Sequence, residues 1–562
     1  MRKAISFIAS LLLSLHTMAV PARPTLFTVW TSDSTALTVI LQGDETCHFL
    51  VTIDGTPVVE EDNGFYRLAP ELKDDIAALW SERLAQRNIP RLQKAKAYQA
   101  KDRQAISQPY IYTDKKKGLV ILVNFSDKWM QSAHTQEVWY QQFNQNGYSR
   151  NGCIGSVSDY FYDQSYGMFN IEFDVVGPVT LNNVYSYYGR NDDKGNDMHP
   201  CEMVIEACRK ADKRGVNFAD YDWDEDGEVD IVFIVYAGYG ESSGASSNTV
   251  WPHEWTLASG QAAGDGTGPL TLDKVKINTY AASCELCGFR GTTMDGIGTA
   301  CHEFSHCLGL PDMYDTSTSS SINSMGRWDI MGAGNYCGPQ QQGEVPAGFT
   351  AYERNFAGWL DYTELHTACN VYDMPTLEDA PVAYIIYNDN CHDEYFLLEN
   401  RQSKKWDQYV GGHGLLVYHV DYNEEAWKTN KVNASSNHQR MRYIPAGRNF
   451  SISSTSSQTF PGTNNVTELT NTSHSTVGAQ LFNMNTDGSY NMSKPITEIS
   501  EQNERISFKF MGGVADGIDA ISSDTDHKTE YYTIDGILVS APSKPGLYIK
   551  RTDEHSQKVY IR

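Results

Sequence analysis

Two histidines and a glutamate are spaced in this sequence as metal ligands and a general base would be. His302 and His306 are four residues apart, so on a helix both imidazoles face one side and can bind one zinc ion. Glu303, next to the first ligand, is placed to hold and deprotonate a water molecule. Gly309 can end the helix in the left-handed conformation, and the sharp turn that follows can return Asp312 to the metal. Three protein ligands with a fourth position left for water are typical of a catalytic zinc site.

A second carboxylate and a structural interpretation compete with this prediction. Asp315, three residues beyond Asp312, could take the third ligand position. The stretch could also be an amphipathic helix whose histidines are satisfied by hydrogen bonds. In a chain with 15 His, a chance HExxH is expected on the order of one in fifty times, but HExxHxxGxxD is much rarer. The longer motif therefore favours the metal site.

The motif and several segments around it resemble the immune inhibitor A family of secreted metallopeptidases, in the metzincin clan. The segment WDIMG at 328–332 is similar to the family's Met-turn, which implies that Met331 lies beneath the metal. The resemblance runs from about residue 20 to 512. Further similar segments are 156–161, 165–167, 251–253, 351–354, 358–360, 396–401 and 412–416.

This resemblance implies a secreted zinc endopeptidase that acts on protein or peptide substrates and is made as a zymogen. Two positions depart from most metzincins. The third ligand is usually His and here would be Asp312, and the Tyr that often follows the Met by two residues is replaced by Ala333. Tyr336 could substitute for it. The rival is an extracellular binding or adhesion protein with an inactive metallopeptidase fold, against which the intact Glu303 argues.

An acidic loop is a second candidate metal site. Gly227 stands at the sixth position, where an EF-hand turns sharply, but the twelfth position is Phe233 instead of Glu. A full EF-hand is therefore excluded, while a partial loop could still hold calcium. A solvated acidic turn is the alternative interpretation. The candidate calcium ligands are Asp222, Asp224, Asp226, Glu228 and Asp230.

The elements that must position the zinc ligands can be predicted from hydrophobic patterning. Two continuous apolar runs, at 119–123 and 231–235, are typical of central strands. Between them, a helix is predicted over 201–213. A mixed α/β, metzincin-like catalytic domain is therefore predicted over 110–365. After it, helical signals almost vanish, and a β-sandwich domain is predicted over 370–512.

The regions at the two ends of the chain carry other signals. Residues 24–68 alternate as strands do, and charged helical residues follow, so 20–105 is predicted to be a small α+β propeptide. Its end, at 94–103, is predicted to be an exposed connector that a protease could cut. Residues 513–562 comprise a polar linker and a short β-like tail. That tail resembles the C-terminal sorting tails of the Bacteroidetes type IX system, with a simple terminal hairpin as the alternative.

Charge and the N-terminal segment bear on location and partners. The chain has 562 residues, enough for three or four domains, and a net charge of -25, which repels nucleic acid.

Residues 1–19 combine basic residues, a short apolar run and a small-residue cleavage site, and are predicted to be a signal peptide cut after Ala19. A membrane anchor is the alternative, although the run is shorter than the ~20 residues that span a bilayer. No later segment is long and apolar enough to span, and the motifs do not determine the oligomeric state.

Export also bears on the 11 cysteines, because oxidising compartments favour disulfides. Cys284 and Cys287 have the spacing of a redox or zinc-finger pair without a second pair, which favours a local disulfide or unpaired thiols. Cys47 lies in the predicted propeptide, where it could block the zinc as a thiolate or pack as an ordinary buried residue.

Overall fold

A computed structural model describes most of the chain and carries the fold around the predicted site. The described residues are 20–45, 47–61, 63–74, 76, 112–192, 195–316, 324–447, 455–472, 478–513, 530–533, 538–539, 546–551 and 556–561. The predicted signal peptide, the predicted connector at 94–103 and most of the predicted linker after 513 lie outside these residues. No helix among the described residues is long and apolar enough to cross a membrane.

A five-stranded mixed sheet forms the centre of the predicted catalytic region. The predicted central strands are confirmed as β6 and β8, with Ile231 just outside β8. Both are buried along their apolar runs, which explains why these runs are continuous rather than alternating. The order is β7-β6-β8-β12-β9, parallel except at the β9 edge. The strands are β6 (Asp114–Asn124), β7 (Phe169–Thr180), β8 (Val232–Tyr239), β9 (His253–Thr256) and β12 (Thr279–Leu286). A two-stranded sheet beside them consists of β10 (Leu270–Leu272) and β11 (Val275–Ile277).

Seven helices accompany these strands in the described residues between 112 and 360. The helix predicted at 201–213 is present as α4, one residue earlier at each end, because Pro200 is suited to the first helical turn. Ser156 and Asp159 form a reciprocal capping box that starts α2. The helices are α1 (Gln136–Asn144), α2 (Val157–Gln164), α3 (Tyr185–Gly189), α4 (Pro200–Asp212), α5 (Leu257–Ala263), α6 (Ile297–Cys307) and α7 (Ala351–Phe356).

The N-terminal residues form an antiparallel meander that packs on the central region. Gly55 adopts a φ of 81° in the turn between β3 and β4, a backbone conformation that suits glycine. Ala22 and Leu41 share a small buried cluster with Trp251, which precedes β9. The strands are β1 (Phe27–Trp30), β2 (Ala36–Asp44), β3 (Cys47–Thr52), β4 (Pro57–Glu60) and β5 (Tyr66–Leu68), paired in that order.

The residues after 360 form two sheets on a common hydrophobic core. Val371 and Phe508 of one sheet and Phe396 and Val417 of the other belong to this core. One sheet has the order β13-β15-β16-β17-β18 and the other β14-β20-β19. Their bounds are β13 (Thr363–Glu364), β14 (Cys369–Met374), β15 (Ala383–Asn388), β16 (Cys391–Arg401), β17 (Gly414–Asp421), β18 (Met441–Tyr443), β19 (Ile496–Gln502) and β20 (Arg505–Phe510), with α8 (Glu424–Lys428) after β17.

These C-terminal sheets also share a core with the catalytic region. Phe304 and Leu308, from the helix that carries HExxH and its C-cap, belong to the same buried cluster as Leu397, Leu416 and Trp427. Tyr352 in α7 packs on Trp427 in α8, so the two regions contact each other directly.

The end of the chain forms a separate four-stranded antiparallel sheet of order β22-β21-β23-β24. Its strands are β21 (Glu530–Thr533), β22 (Leu538–Val539), β23 (Gly546–Arg551) and β24 (Ser556–Ile561).

Ten cysteines of the described chain form no disulfide, and nine of them are buried. Cys284 Sγ donates to the Leu286 carbonyl and Cys287 Sγ to the side chain of Gln342. Of the two alternatives predicted for this pair, the structure therefore shows unpaired thiols. Cys47 lies in β3, but its side chain is outside the described part of the structure.

Candidate metal centre and active site

The HExxH residues lie on α6, and every residue of this helix is buried. The helix packs so closely that a Cβ on Gly298 would collide with the carbonyl of Asn335. At its other end Gly309 has a φ of 101°, as predicted for the residue that ends the helix. The chain then turns back toward the helix, and this turn brings Asp312 to the two histidines.

Three donor atoms converge at this point with the spacing of ligands to one ion. The Nε2 atoms of His302 and His306 are 3.1 Å apart. Asp312 Oδ1 lies 3.4 Å from the first and 3.3 Å from the second. Tetrahedral zinc with bonds of ~2.0–2.2 Å holds its ligands at about these separations. Asp315 is buried nearby but is not part of this group.

Hydrogen bonds on the far side of each imidazole prepare the ring for a metal. His302 Nδ1 lies 2.7 Å from the Ile330 carbonyl, and His306 Nδ1 lies 2.8 Å from the Leu310 carbonyl. A carbonyl only accepts, so each Nδ1 carries the proton and each Nε2 presents a lone pair. Burial lowers the pKa of His302, which favours the same neutral form.

The third ligand completes a set of donors that a cation fits. Asp312 Oδ1 is buried and receives no hydrogen bond, so it faces the two Nε2 lone pairs without a proton between them. An ionised carboxylate against two neutral imidazoles suits a divalent cation.

Asn430, from the loop after α8, orients this ligand and was not predicted from the sequence. Asn430 Nδ2 donates to Asp312 Oδ2 at 2.6 Å, and the Asp312 backbone N–H donates to Asn430 Oδ1 at 2.8 Å. The two residues are 118 positions apart, so no local spacing could have indicated the contact.

The predicted Met-turn lies directly behind His302. The Met331 backbone N–H donates to Asp329 Oδ1 at 2.7 Å, and the Met331 carbonyl accepts the Met313 N–H at 2.8 Å. Ile330 lies between Asp329 and Met331, and its backbone carbonyl accepts the hydrogen bond from His302 Nδ1. The 328–332 segment thus connects the helix to the turn that carries Asp312.

Glu303 is buried beside the three donors and is engaged by the N-terminal segment. Its Oε1 accepts the backbone N–H of Val20 at 2.8 Å. Tyr336 donates its hydroxyl to the Pro21 carbonyl at 2.7 Å, and Trp251 Nε1 donates to the Val20 carbonyl at 3.1 Å. Burial raises the pKa of Glu303 well above its usual value. Residues 20 and 21 therefore occupy the space next to the candidate base.

The acidic loop brings together only part of the predicted calcium set. Oxygens of Asp222, Asp224 and Asp226 lie within 4.8 Å of one another. Glu228 instead lies 2.9 Å from Lys276, and Asp230 Oδ2 accepts the Trp223 backbone N–H at 2.6 Å.

Part of the sequence is similar to known peptidases. Residues 104–360 match the family described as immune inhibitor A peptidase M6, catalytic domain. Immune inhibitor A of Bacillus thuringiensis subsp. alesti is 24% identical over 277 residues, covering 43% of this chain and 39% of the relative. The pre-pro-metalloprotease PrtV of Vibrio cholerae is 24% identical over 297 residues, covering 44% of this chain and 31% of the relative.

The chain thus spans less than two-fifths of the length of these curated relatives. The matched segment nevertheless contains the three donors, the glutamate and the Met-turn segment together. On both grounds, residues 104–360 are similar to the catalytic domain of the immune inhibitor A peptidases, family M6.

Proposed function

We propose that this protein is a zinc-dependent endopeptidase in which Glu303 acts as general base and acid. The observation that carries the proposal is the triangle of His302 Nε2, His306 Nε2 and Asp312 Oδ1, with edges of 3.1–3.4 Å, beside a buried glutamate. Two fixed tautomers and an ionised carboxylate support zinc as the ion.

Each residue has a distinct role in the proposed reaction. Zinc held there would act as a Lewis acid that polarises the scissile carbonyl and lowers the pKa of water to ~7. Glu303 takes the proton from the attacking water and returns it to the leaving amine. The Tyr336 hydroxyl, which donates to the Pro21 carbonyl, is positioned to donate to a substrate carbonyl in the same place. Met331 supports the floor of the site through the backbone of its turn.

We also propose that the protein is made as a zymogen whose N-terminal segment blocks the site. The contact of Val20 with Glu303 supports this, because a substrate needs the same space. The 20–105 region would be the propeptide, and cleavage near 94–103 would release it. The relative PrtV carries the words pre-pro in its name, which agrees with a leader and a propeptide.

The remaining assignments extend this proposal. The protein would be exported by its signal peptide, and the sheets over 370–512 would form a β-sandwich domain. The tail after 513 would act in type IX sorting. The Asp222, Asp224 and Asp226 group would hold calcium, while Glu228 is engaged by Lys276.

Zinc analysis combined with a casein assay on protein cleaved near residue 100 tests the proposed function. We expect one zinc ion at the His302 site and hydrolysis that a chelator abolishes and zinc restores. Bound zinc without turnover of any unfolded protein would support the rival interpretation, an adhesion protein with an inactive fold.

A further inference from the structure

A second group of metal-ligand side chains lies at the start of α4, away from the candidate active site. It consists of His199, Glu202 and Asp265, each of which offers one donor atom. These atoms lie within 4.8 Å of one another. His199 directly precedes α4 and Glu202 lies in its first turn, whereas Asp265 comes from the glycine-flanked loop after α5.

The His199 ring is held in place, but one of its nitrogens has no partner. Its face stacks on Tyr187, with ring centroids 4.4 Å apart and an interplanar angle of 18°. Nδ1 is buried and makes no hydrogen bond. It lies 3.9 Å from Glu202 Oε1 and 3.9 Å from Asp265 Oδ1. These separations exceed the ~2.7–2.9 Å of a charge-assisted hydrogen bond, so Nδ1 does not bind either carboxylate directly.

Both carboxylates are fixed by other contacts, and the Asp265 oxygen nearer His199, Oδ1, keeps one lone pair because it already accepts the Glu202 backbone N–H. Glu202 Oε2 accepts the Tyr187 hydroxyl at 2.8 Å, which fixes that side chain beside the His199 ring. Asp265 accepts the backbone N–H groups of Cys201 at 2.6 Å and Glu202 at 3.2 Å, and thereby caps α4. Among the described residues, no Lys or Arg forms an ion pair with either carboxylate. Two carboxylates and one imidazole thus converge without a matching positive charge.

We propose that His199, Glu202 and Asp265 form a second zinc site, which fastens the loop after α5 to the start of α4. One imidazole nitrogen with two carboxylate oxygens favours zinc over calcium, because calcium takes oxygen ligands. His199 and Glu202 are partly exposed, so both can move the few tenths of an ångström that shorter zinc geometry requires. Water would complete the coordination. The site has no part in the peptide-bond chemistry proposed above.

Zinc stoichiometry measured by elemental analysis of the dialysed full-length protein tests this site. We expect two zinc ions per chain for the unmodified protein and one for His199→Ala and for Glu202→Gln. Glu206→Gln is the matched control, because Glu206 is one turn further along α4 and accepts the Tyr188 hydroxyl instead. It should keep both ions. His306→Ala should lose one ion and keep the α4 site, which separates the two centres.

A thermal melt provides a readout independent of activity. Returning zinc to metal-stripped protein should raise the melting temperature further in the unmodified protein than in His199→Ala. Zinc affinity at this site should fall by more than the ~10- to 100-fold that loss of an outer-shell partner costs. The proposal is overturned if the unmodified protein holds one zinc ion, if His199→Ala still holds two, or if calcium alone raises the melting temperature through these residues.

Discussion

Asn430 and Asp312 hydrogen-bond to each other twice, once through the side chains and once from the Asp312 backbone to the Asn430 amide oxygen. The side-chain contact is 2.6 Å and the backbone contact 2.8 Å. Asn430 comes from the loop after α8, among the C-terminal strands, and Asp312 is the third donor of the metal centre. A residue outside the matched peptidase segment therefore fixes the orientation of a ligand inside it.

Removing the Asn430 side chain should weaken zinc binding. Asn430 has a φ of 50°, so Asn430→Gly deletes the amide without adding backbone strain. We expect zinc affinity, measured by competition with a chelator, to fall by ~10- to 100-fold. Thr429→Ala is the control, because Thr429 donates only to the Glu425 carbonyl. Equal affinity in Asn430→Gly and the unmodified protein would show that the pair does not position the ligand.

Replacing Glu303 should separate metal binding from catalysis. Glu303→Ala and the isosteric Glu303→Gln should retain zinc, because neither removes a donor. Activity of the cleaved protein on casein should fall by ~10²-fold or more, the contribution of a positioned acid or base. Ser305→Ala, on the same helix, removes only a hydroxyl that donates to the Cys301 carbonyl and should retain activity. Retained proteolysis in both Glu303 variants would contradict the assigned role.

Cleavage of the predicted connector should activate the protein. Full-length protein should be less active on casein than protein cut between residues 94 and 103. The reason is that the Val20 backbone N–H stays hydrogen-bonded to Glu303 until the N-terminal segment dissociates. Since this contact needs no thiolate, Cys47→Ser should leave the ratio of the two activities unchanged. A loss of latency in Cys47→Ser would instead favour a thiolate on the metal.

Latency should also weaken as the pH rises, because of one ion pair between the N-terminal meander and the catalytic region. His48 Nε2 lies 2.9 Å from Glu241 Oε1, its Nδ1 lies 3.0 Å from the Asp44 carbonyl, and its ring packs on Trp251. Burial acts to lower the pKa of His48, but Glu241 outweighs it, so the pKa is raised. The pair is therefore fully formed below the ordinary pKa of ~6.5 and is lost as the pH rises through the raised value.

This expectation is checked by measuring the activity of the full-length protein and of the cut protein from pH 6 to pH 9 and taking the ratio of the first to the second. The ratio should rise with pH in the unmodified protein and stay flat in His48→Gln. His413→Gln is the matched control, since His413 forms a similar pair with Glu501 among the C-terminal strands. An unaltered pH profile in His48→Gln would mean that another group controls the docking.

Calcium should stabilise the fold through the acidic loop. At a hundredfold excess over its dissociation constant, calcium would add ~2.7 kcal/mol to the free energy of unfolding. Asp224→Asn should remove most of that gain, whereas Glu228→Gln should keep it, because Glu228 faces Lys276. The measurement is a thermal melt with and without calcium in metal-stripped buffer with zinc restored. An unchanged midpoint in the unmodified protein would show that the loop is a solvated turn.

The parts predicted from the sequence are those that neighbouring residues determine. The helix with His302 and His306, its end at Gly309, and the runs that became β6 and β8 all follow from local spacing and apolar patterning. The acidic loop was also predicted from local spacing, whereas the contact of its Glu228 with Lys276, 48 residues away, could not be predicted that way.

The contacts that sequence reasoning missed join distant parts of the chain. Val20 meets Glu303 across 283 positions, and Asn430 meets Asp312 across 118. An asparagine or a valine has no distinctive pattern around it, so its role exists only once the fold has formed. His199 had a nearby Glu202, but Asp265 enters the cluster through the loop after α5, which local spacing does not reveal.

The common core of α6 and the C-terminal strands limits how far this chain can be shortened. Phe304 and Leu308 belong to the same buried cluster as Leu397, Leu416 and Trp427, all fully or almost fully buried, so ending the chain at residue 360 would open that core to water. Burying one such side chain contributes ~1.5–3 kcal/mol, and a domain is only marginally stable. We therefore expect the smallest piece of this chain that folds stably around His302 and His306 to extend through the C-terminal sheets, well beyond the segment that matches the family.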